Sequence, residues 1–319
     1  MAGRTQPQPG TAFAGLPAGD RSMLAAMGPR WSLDINANRQ QVVDIYTPLL
    51  AAADKGDIRV ASGISYGGHE RHKLDIYQPA SAAGLPVVVF VHGGAFLRGN
   101  MNSNAEIYGN VPRYFASHGL LAVNLEYRLA PEAAYPGGAQ DIAAALAWIR
   151  QHIAAYGGNP QHVILAGHSA GGAHAATYAL DPVMRTGSAA KEAGSAAISG
   201  LILISARLRA DVLPGNPNAA GVRAYWGDDS ARYEQVSPTT YAADLAVPAM
   251  VVVAEFENPY LDTYGAEFFY RITQAARHRH RFLQVLQHNH TSIVAHLGTE
   301  DLSLGPALID FIASTRPNA

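Results

Sequence analysis

The chain has 319 residues, a formal net charge of −2, 15% charged and 48% apolar residues, and no cysteine. That length suits one large domain, or a domain with a small cap. The near-neutral charge, without a run of basic residues, argues against nucleic acid or a membrane surface as partner, and zero Cys removes disulfides, thiolate metal ligands and thiol nucleophiles.

In chain order, residues 1–20 are rich in Gly, Pro, Ala and Gln and read as a loose arm. They lack the charged start and apolar run of a secretory signal, so a cytoplasmic setting is expected. In residues 21–55, Met23, Leu24, Met27, Ile45, Leu49 and Leu50 fall near helical spacing, which predicts one or two amphipathic helices broken at Pro29. Residues 1–55 are thus expected to form an arm and cap helices, ahead of a main domain over 56–319.

From Asp57 the pattern alternates: DIRVASGISYGG and HKLDIYQP (72–79) predict two antiparallel strands parted by Gly67 and Gly68. Six apolar runs follow: PVVVFV (86–91), GLLAVNLEY (119–127), HVILAG (162–167), SGLILISA (199–206), PAMVVVAE (248–255) and RFLQVLQ (281–287). Such continuous runs fit strands covered on both faces. Between the second and third, Ile142, Leu146, Ile149 and Ile153 recur at helical spacing, with Gly157 and Gly158 as the stop. Strands alternating with helices predict an α/β fold with a mostly parallel central sheet.

The sharpest motif is GHSAG at 167–171, directly after HVILA and before the helical AHAATYAL. A G-x-S-x-G between strand and helix is a nucleophile elbow, which makes Ser169 the candidate nucleophile; side chains at Gly167 or Gly171 would collide with neighbouring backbone in so tight a turn. A serine hydroxyl needs a histidine to take its proton and a carboxylate to orient that histidine, in the order Ser, acid, His for this arrangement. The strand VVVAE leads to Glu255, Glu257 and Asp262, and RFLQVLQ leads to His288 and His290.

Together, HGGAF (92–96), YRLAPE (127–132), YPGGAQD (135–141), GHSAGG (167–172) and the HNHTS loop resemble the α/β-hydrolase esterases of the hormone-sensitive-lipase-like and related carboxylesterase groups, over about 57–312. The resemblance implies an α/β-hydrolase fold and a serine carboxylesterase working through an acyl-enzyme. Its strand-end pattern makes Glu257 the acid, in place of the commoner Asp, with Asp262 in reserve and Glu255 packed at the strand end. Its H-x-H-x-S loops make His290 the base and leave His288 as a loop or entrance residue. Its HGGG-type loop implies oxyanion donors at the N–H groups of Gly94 and Ala95, with that of Ala170. Ala95 stands where a glycine is usual, at a cost of roughly 1 kcal/mol if its φ is positive. His92 is expected to anchor the loop, Arg128 and Glu132 to tie loops together, and His168 to pack.

Thirteen histidines, with His278, His280, His288, His290 and His296 crowded near the C-terminus, raise a metal hydrolase as a rival. No H-E-x-x-H pattern supports it, so neither metal nor cofactor is expected. The other rivals are a noncatalytic binding protein on the same fold and an amidase resembling arylformamidases. The expected partner is a small-molecule ester. Residues 21–55 and the loop-like 207–226, with Val212, Leu213, Val222, Tyr225 and Trp226, are expected to wall an apolar acyl pocket suited to acetyl through hexanoyl chains.

Overall fold

The computed structural model describes residues 12–186, 198–275 and 278–315. The apolar runs pair as one sheet of eight strands: β1 (Ile58–Ser65), β2 (Lys73–Pro79), β3 (Leu85–Val91), β4 (Leu121–Leu125), β5 (Gly158–His168), β6 (Gly200–Ile204), β7 (Ala249–Phe256) and β8 (Arg281–Asn289). Their spatial order is β1-β2-β4-β3-β5-β6-β7-β8. β1 pairs antiparallel with β2, and β2 with β4; every other neighbour is parallel. The crossovers bring the C-terminal ends of β3, β5, β7 and β8 to one edge, where open α/β sheets place their ligands.

Strand alternation splits the apolar runs between two cores. Val87, Val89, Val91 and Leu165 face one layer with Ile142, Leu146 and Ile149 of helix α4 (Gly137–His152). Val88, Phe90, Ile164 and Ala166 face the other, with Val111 and Phe115 of α3 (Asn110–Ser117) and the C-terminal Leu308 and Phe311. Both faces being covered explains why these strands read as unbroken Val/Ile/Leu runs rather than alternating ones.

Before the sheet stand α1 (Ala18–Met27), a 3₁₀ turn (Gly28–Leu33) holding Pro29, and α2 (Ile35–Ala52), so the break falls where proline predicts it. The loose arm needs correction. Residues 1–11 lie outside the described residues, but Phe13 and Leu16 are buried with Leu24, Met27, Trp31 and Tyr46. The Phe13 N–H donates to Asp301 Oδ2 at 2.6 Å, so the few apolar residues of this stretch suffice to dock it. Among the described residues, no helix is long and apolar enough to cross a membrane.

Candidate active site

Ser169 sits between β5 and helix α5 (Ala170–Leu180) at φ 55° and ψ −117°, a conformation L-residues rarely adopt. The glycines around it make the turn possible. A Cβ on Gly167 would lie 2.5 Å from the Gly171 carbonyl oxygen, and one on Gly171 would lie 2.2 Å from that of Val91. The elbow expected from the sequence is thus a steric necessity at both positions.

Glu257 follows β7 and His290 follows β8, and the sheet order brings both to Ser169. The Ser169 hydroxyl and His290 Nε2 are 3.0 Å apart, and His290 Nδ1 is 2.7 Å from Glu257 Oε2. A carboxylate only accepts, so Nδ1 carries the proton and Nε2 presents its lone pair to the serine. The longer Glu side chain is absorbed by folding back on its own strand end: Oε1 accepts the Ala254 N–H at 2.9 Å and the Ser205 hydroxyl. Ser205, at φ 48°, was legible in the sequence only as a strand residue. Asp262 stays apart, exposed in the first turn of the helix Leu261–Gln274, where its Oδ1 accepts the Thr263 N–H at 2.8 Å. Glu255 is exposed and accepts the Gln287 N–H at 2.5 Å rather than packing.

The loop after β3 lines the same cavity through Gly93, Gly94 and Ala95. Gly94 has φ 155°, and a Cβ there would lie 1.7 Å from the Arg98 carbonyl oxygen. Ala95 and Phe96 follow at φ 51° and 69°, so the alanine does occupy the left-handed region. Among the described residues the N–H groups of Gly94, Ala95 and Ala170 donate to no backbone acceptor, which leaves three donors beside Ser169. His92 is fully buried, its ring nitrogens 2.7 Å from the Gly93 carbonyl and 2.9 Å from Glu126 Oε1. Burial opposes ionisation of Glu126, but the His92 bond, the Met101 N–H and Arg71 together hold it below the usual carboxylate range. Arg128 binds Asp141 at 2.6 Å and Glu132 reaches His69 at 2.8 Å, so YRLAPE ties loops together as expected.

His168 does more than pack. Burial, reinforced by neighbouring His290, holds its pKa well below the ordinary value, so it is neutral with one donor and one acceptor. Nε2–H donates to the His290 carbonyl at 2.9 Å, which leaves Nδ1 to accept the Tyr108 hydroxyl at 3.0 Å. Burial pushes Tyr108 up to about 12, the Gly93 backbone pulling the other way. Tyr108 and His168 thus form a hydrogen-bonded chain that ends on the histidine loop. The GHSAG pattern marked His168, but nothing in the sequence signalled Tyr108.

The cavity over Ser169 holds about 310 Å³ and is walled on one side by Trp31, Ile35, Asn36, Arg39 and Val43 of the N-terminal helices. Trp31 Nε1–H donates to Asn258 Oδ1 at 2.9 Å, fastening these helices beside Glu257. The stretch 207–226 departs from expectation. Residues Ala219–Trp226 form a helix whose Val222, Tyr225 and Trp226 are buried behind the glycine loop. Phe96 stacks on Tyr225 at 4.7 Å, and only Pro217 and Asn218 of the stretch reach the cavity. The apolar residues serve packing, and the walls include Arg39, Arg98, Asn36 and Asn218, so the pocket is not the apolar one predicted.

His288 is also corrected: it is fully buried, not an entrance residue. Its Nε2 is 3.2 Å from Asp301 Oδ2, and its ligand atoms with those of His296 and Asp301 lie within 4.8 Å of one another. Among the described residues this is the group able to hold a metal ion, and it lies outside the cavity lining.

Sheet order, elbow and glycine loop define an α/β-hydrolase fold. Residues 74–195 match the BD-FAE family. Over 123 residues the chain is 36% identical to a probable isoprenylcysteine α-carbonyl methylesterase of Oryza sativa subsp. japonica, covering 38% of this chain and 28% of that protein. It is 34% identical to carboxylesterase NlhH of Mycobacterium tuberculosis over 110 residues, 34% of each chain. The matched stretch thus spans about a third or less of these relatives. A thermostable esterase from Pseudomonas putida superposes with TM-score 0.69 at 21% identity, covering 96% of this chain and 99% of that one. A hyperthermophilic esterase from Pyrobaculum calidifontis gives TM-score 0.70 at 23% identity, covering 94% and 97%. The resemblance to hormone-sensitive-lipase-like esterases drawn from the sequence is borne out by these matches.

Proposed function

We propose that the protein is a serine carboxylesterase acting on short-chain carboxylic esters. The observation that carries this reading is the hydrogen-bonded line Ser169–His290–Glu257 opening on a cavity with unspent N–H donors. Ser169 Oγ attacks the ester carbonyl carbon as its proton passes to His290 Nε2, and Glu257 stabilises the imidazolium. The N–H groups of Gly94, Ala95 and Ala170 receive the charge that develops on the carbonyl oxygen. The alcohol leaves with the proton from His290, giving an acyl-Ser169. Water then adds to the acyl carbon, its proton returns through His290, and the carboxylic acid departs with the serine restored. Every proton has a protein partner in this scheme, so neither metal nor cofactor is required.

In this reading residues 12–55 form a small cap on the hydrolase domain, supported by the walls that Trp31, Ile35 and Val43 supply. A cytoplasmic setting belongs to the same proposal. The test is a panel of p-nitrophenyl esters from acetate to palmitate beside N-formylkynurenine. Highest kcat/KM between acetate and hexanoate supports the reading; turnover confined to the formamide would favour an arylformamidase-like amidase, and a maximum at long chains would show a lipase.

A further inference from the structure

The cavity over Ser169 carries formal charge of one sign. Arg39 and Arg98 both line it, and among the described residues no Asp or Glu does, in a chain with 25 acidic residues against 23 basic ones. Neither guanidinium has a carboxylate within ion-pair reach among the described residues, whereas Arg71, Arg128, Arg207, Arg209 and Arg281 each do. The two come from separate elements. Ile35, Asn36, Arg39 and Val43 recur at three- and four-residue spacing, so α2 turns one face to the cavity with Arg39 at its middle. Arg98 closes the glycine loop: its N–H donates to the Gly94 carbonyl at 3.1 Å, which roots its side chain four residues from an oxyanion donor. Burial and, second, the nearby positive charge of Arg39 hold the Arg98 pKa below its ordinary value, as befits two cations facing one space. Solvated surface arginines need no explanation, but two unpaired ones converging on the cavity of the nucleophile leave a charge there that a substrate can neutralise.

We propose that the preferred ester carries a carboxylate a few bonds from the scissile carbonyl, held between Arg39 and Arg98. The planar guanidinium fork matches a carboxylate in two parallel hydrogen bonds, and Asn36 and Asn218 on the same walls offer further polar contacts. The inference rests on the reading of Ser169 as the acylated nucleophile and adds to its ester substrate a carboxylate on the acyl or the alcohol side.

The test uses matched pairs: monoethyl adipate against ethyl hexanoate puts the charge on the acyl side, and 4-acetoxybutanoate against butyl acetate puts it on the alcohol side. In the parent protein at least one carboxylate ester is expected to exceed its neutral twin in kcat/KM by tenfold or more. In Arg39→Gln/Arg98→Gln that ratio should fall at least tenfold, and in the parent it should shrink as salt is raised. Equal or lower kcat/KM for both carboxylate esters, or a preference that survives the double substitution, overturns the proposal while turnover of the neutral twins leaves the esterase reading standing. Calorimetric titration of Ser169→Ala with the same four esters separates the two readings without turnover. Tighter binding of a carboxylate ester that is lost with the arginines supports the proposal; equal binding of the twins, or none, overturns it.

Discussion

Two histidines two residues apart each meet a carboxylate and a serine, and only one of the sets faces a cavity. His290 lies between Glu257 and Ser169, at 2.7 and 3.0 Å. His288 lies between Asp301 and Ser292, at 3.2 and 3.1 Å. The residue types match, but His288 turns Nε2 rather than Nδ1 to its carboxylate and meets it without hydrogen-bond geometry, and the surroundings differ further. Ser169 stands on a strained elbow beside three N–H donors, whereas Ser292 is fully buried and its Oγ already accepts the Asn289 N–H at 2.9 Å. Asp301 likewise accepts from Phe13 and Ser303, so the inner set braces the N-terminal segment against the histidine loop. Under the proposed mechanism, reactivity would come from access and from oxyanion donors, neither of which the trio supplies alone.

The largest effect that would break this contrast is at the two serines. Ser169→Ala should lower kcat/KM for esters by about 10⁴-fold or more with the fold intact by circular dichroism, whereas Ser292→Ala should stay within tenfold in kcat/KM and show its cost in Tm. At the histidines, His290→Ala should abolish the acyl-enzyme burst seen by stopped flow. His288→Ala should keep the burst but lose about 3 kcal/mol in urea titration, because it empties a fully buried ring site between Asp301 and Ser292. A lost burst in His288→Ala, with His290→Ala unaffected, would exchange their roles.

For the acids, Glu257→Gln should reduce turnover by roughly 10² to 10⁴, since an amide neither fixes the imidazole tautomer nor stabilises its cation. Asp262→Asn should change steady-state rates less than twofold. The inner set should instead report through pH. His296, facing His288, Asp301 and Ser292 and with Asp301 pulling the other way, is pushed down to about 3 by burial and then by His288. Unfolding frees it to bind a proton near its usual 6.5, so its contribution is complete above that pH and is lost as pH falls toward 3. Melts at pH 7, 6 and 5 should show falling Tm, with a slope of up to about 1.4 kcal/mol per pH unit for each such histidine. His296→Gln should flatten that slope. The smallest effect is expected from chelation: EDTA should leave kcat/KM within twofold, and full inhibition reversed by Zn²⁺ would shift the chemistry toward His288, His296 and Asp301.

What the sequence made legible was local. The strands, the elbow and its glycines, and the proline break are set by residues adjacent in the chain, and the ordered motifs singled out Glu257 and His290, which lie in line with Ser169. What it hid was long-range. The docking of Phe13 on Asp301 spans nearly the whole chain, and Tyr108 joins His168 through a contact no spacing encodes. In the stretch 207–226, Gly, Pro and Asn residues obscure the helix Ala219–Trp226, whose aromatic face packs on the distant Phe96, Tyr135 and His174. The charge of the cavity was illegible for the same reason: Arg39 and Arg98 are ordinary exposed residues until α2 and the glycine loop are brought together.

The most direct measurement is to treat the folded protein with a fluorophosphonate at neutral pH and locate the adduct by peptide mass spectrometry. One adduct at Ser169, lost in His290→Ala and retained in His288→Ala, is the expected result. Labelling at Ser292, or none at Ser169 in protein that hydrolyses esters, would contradict it.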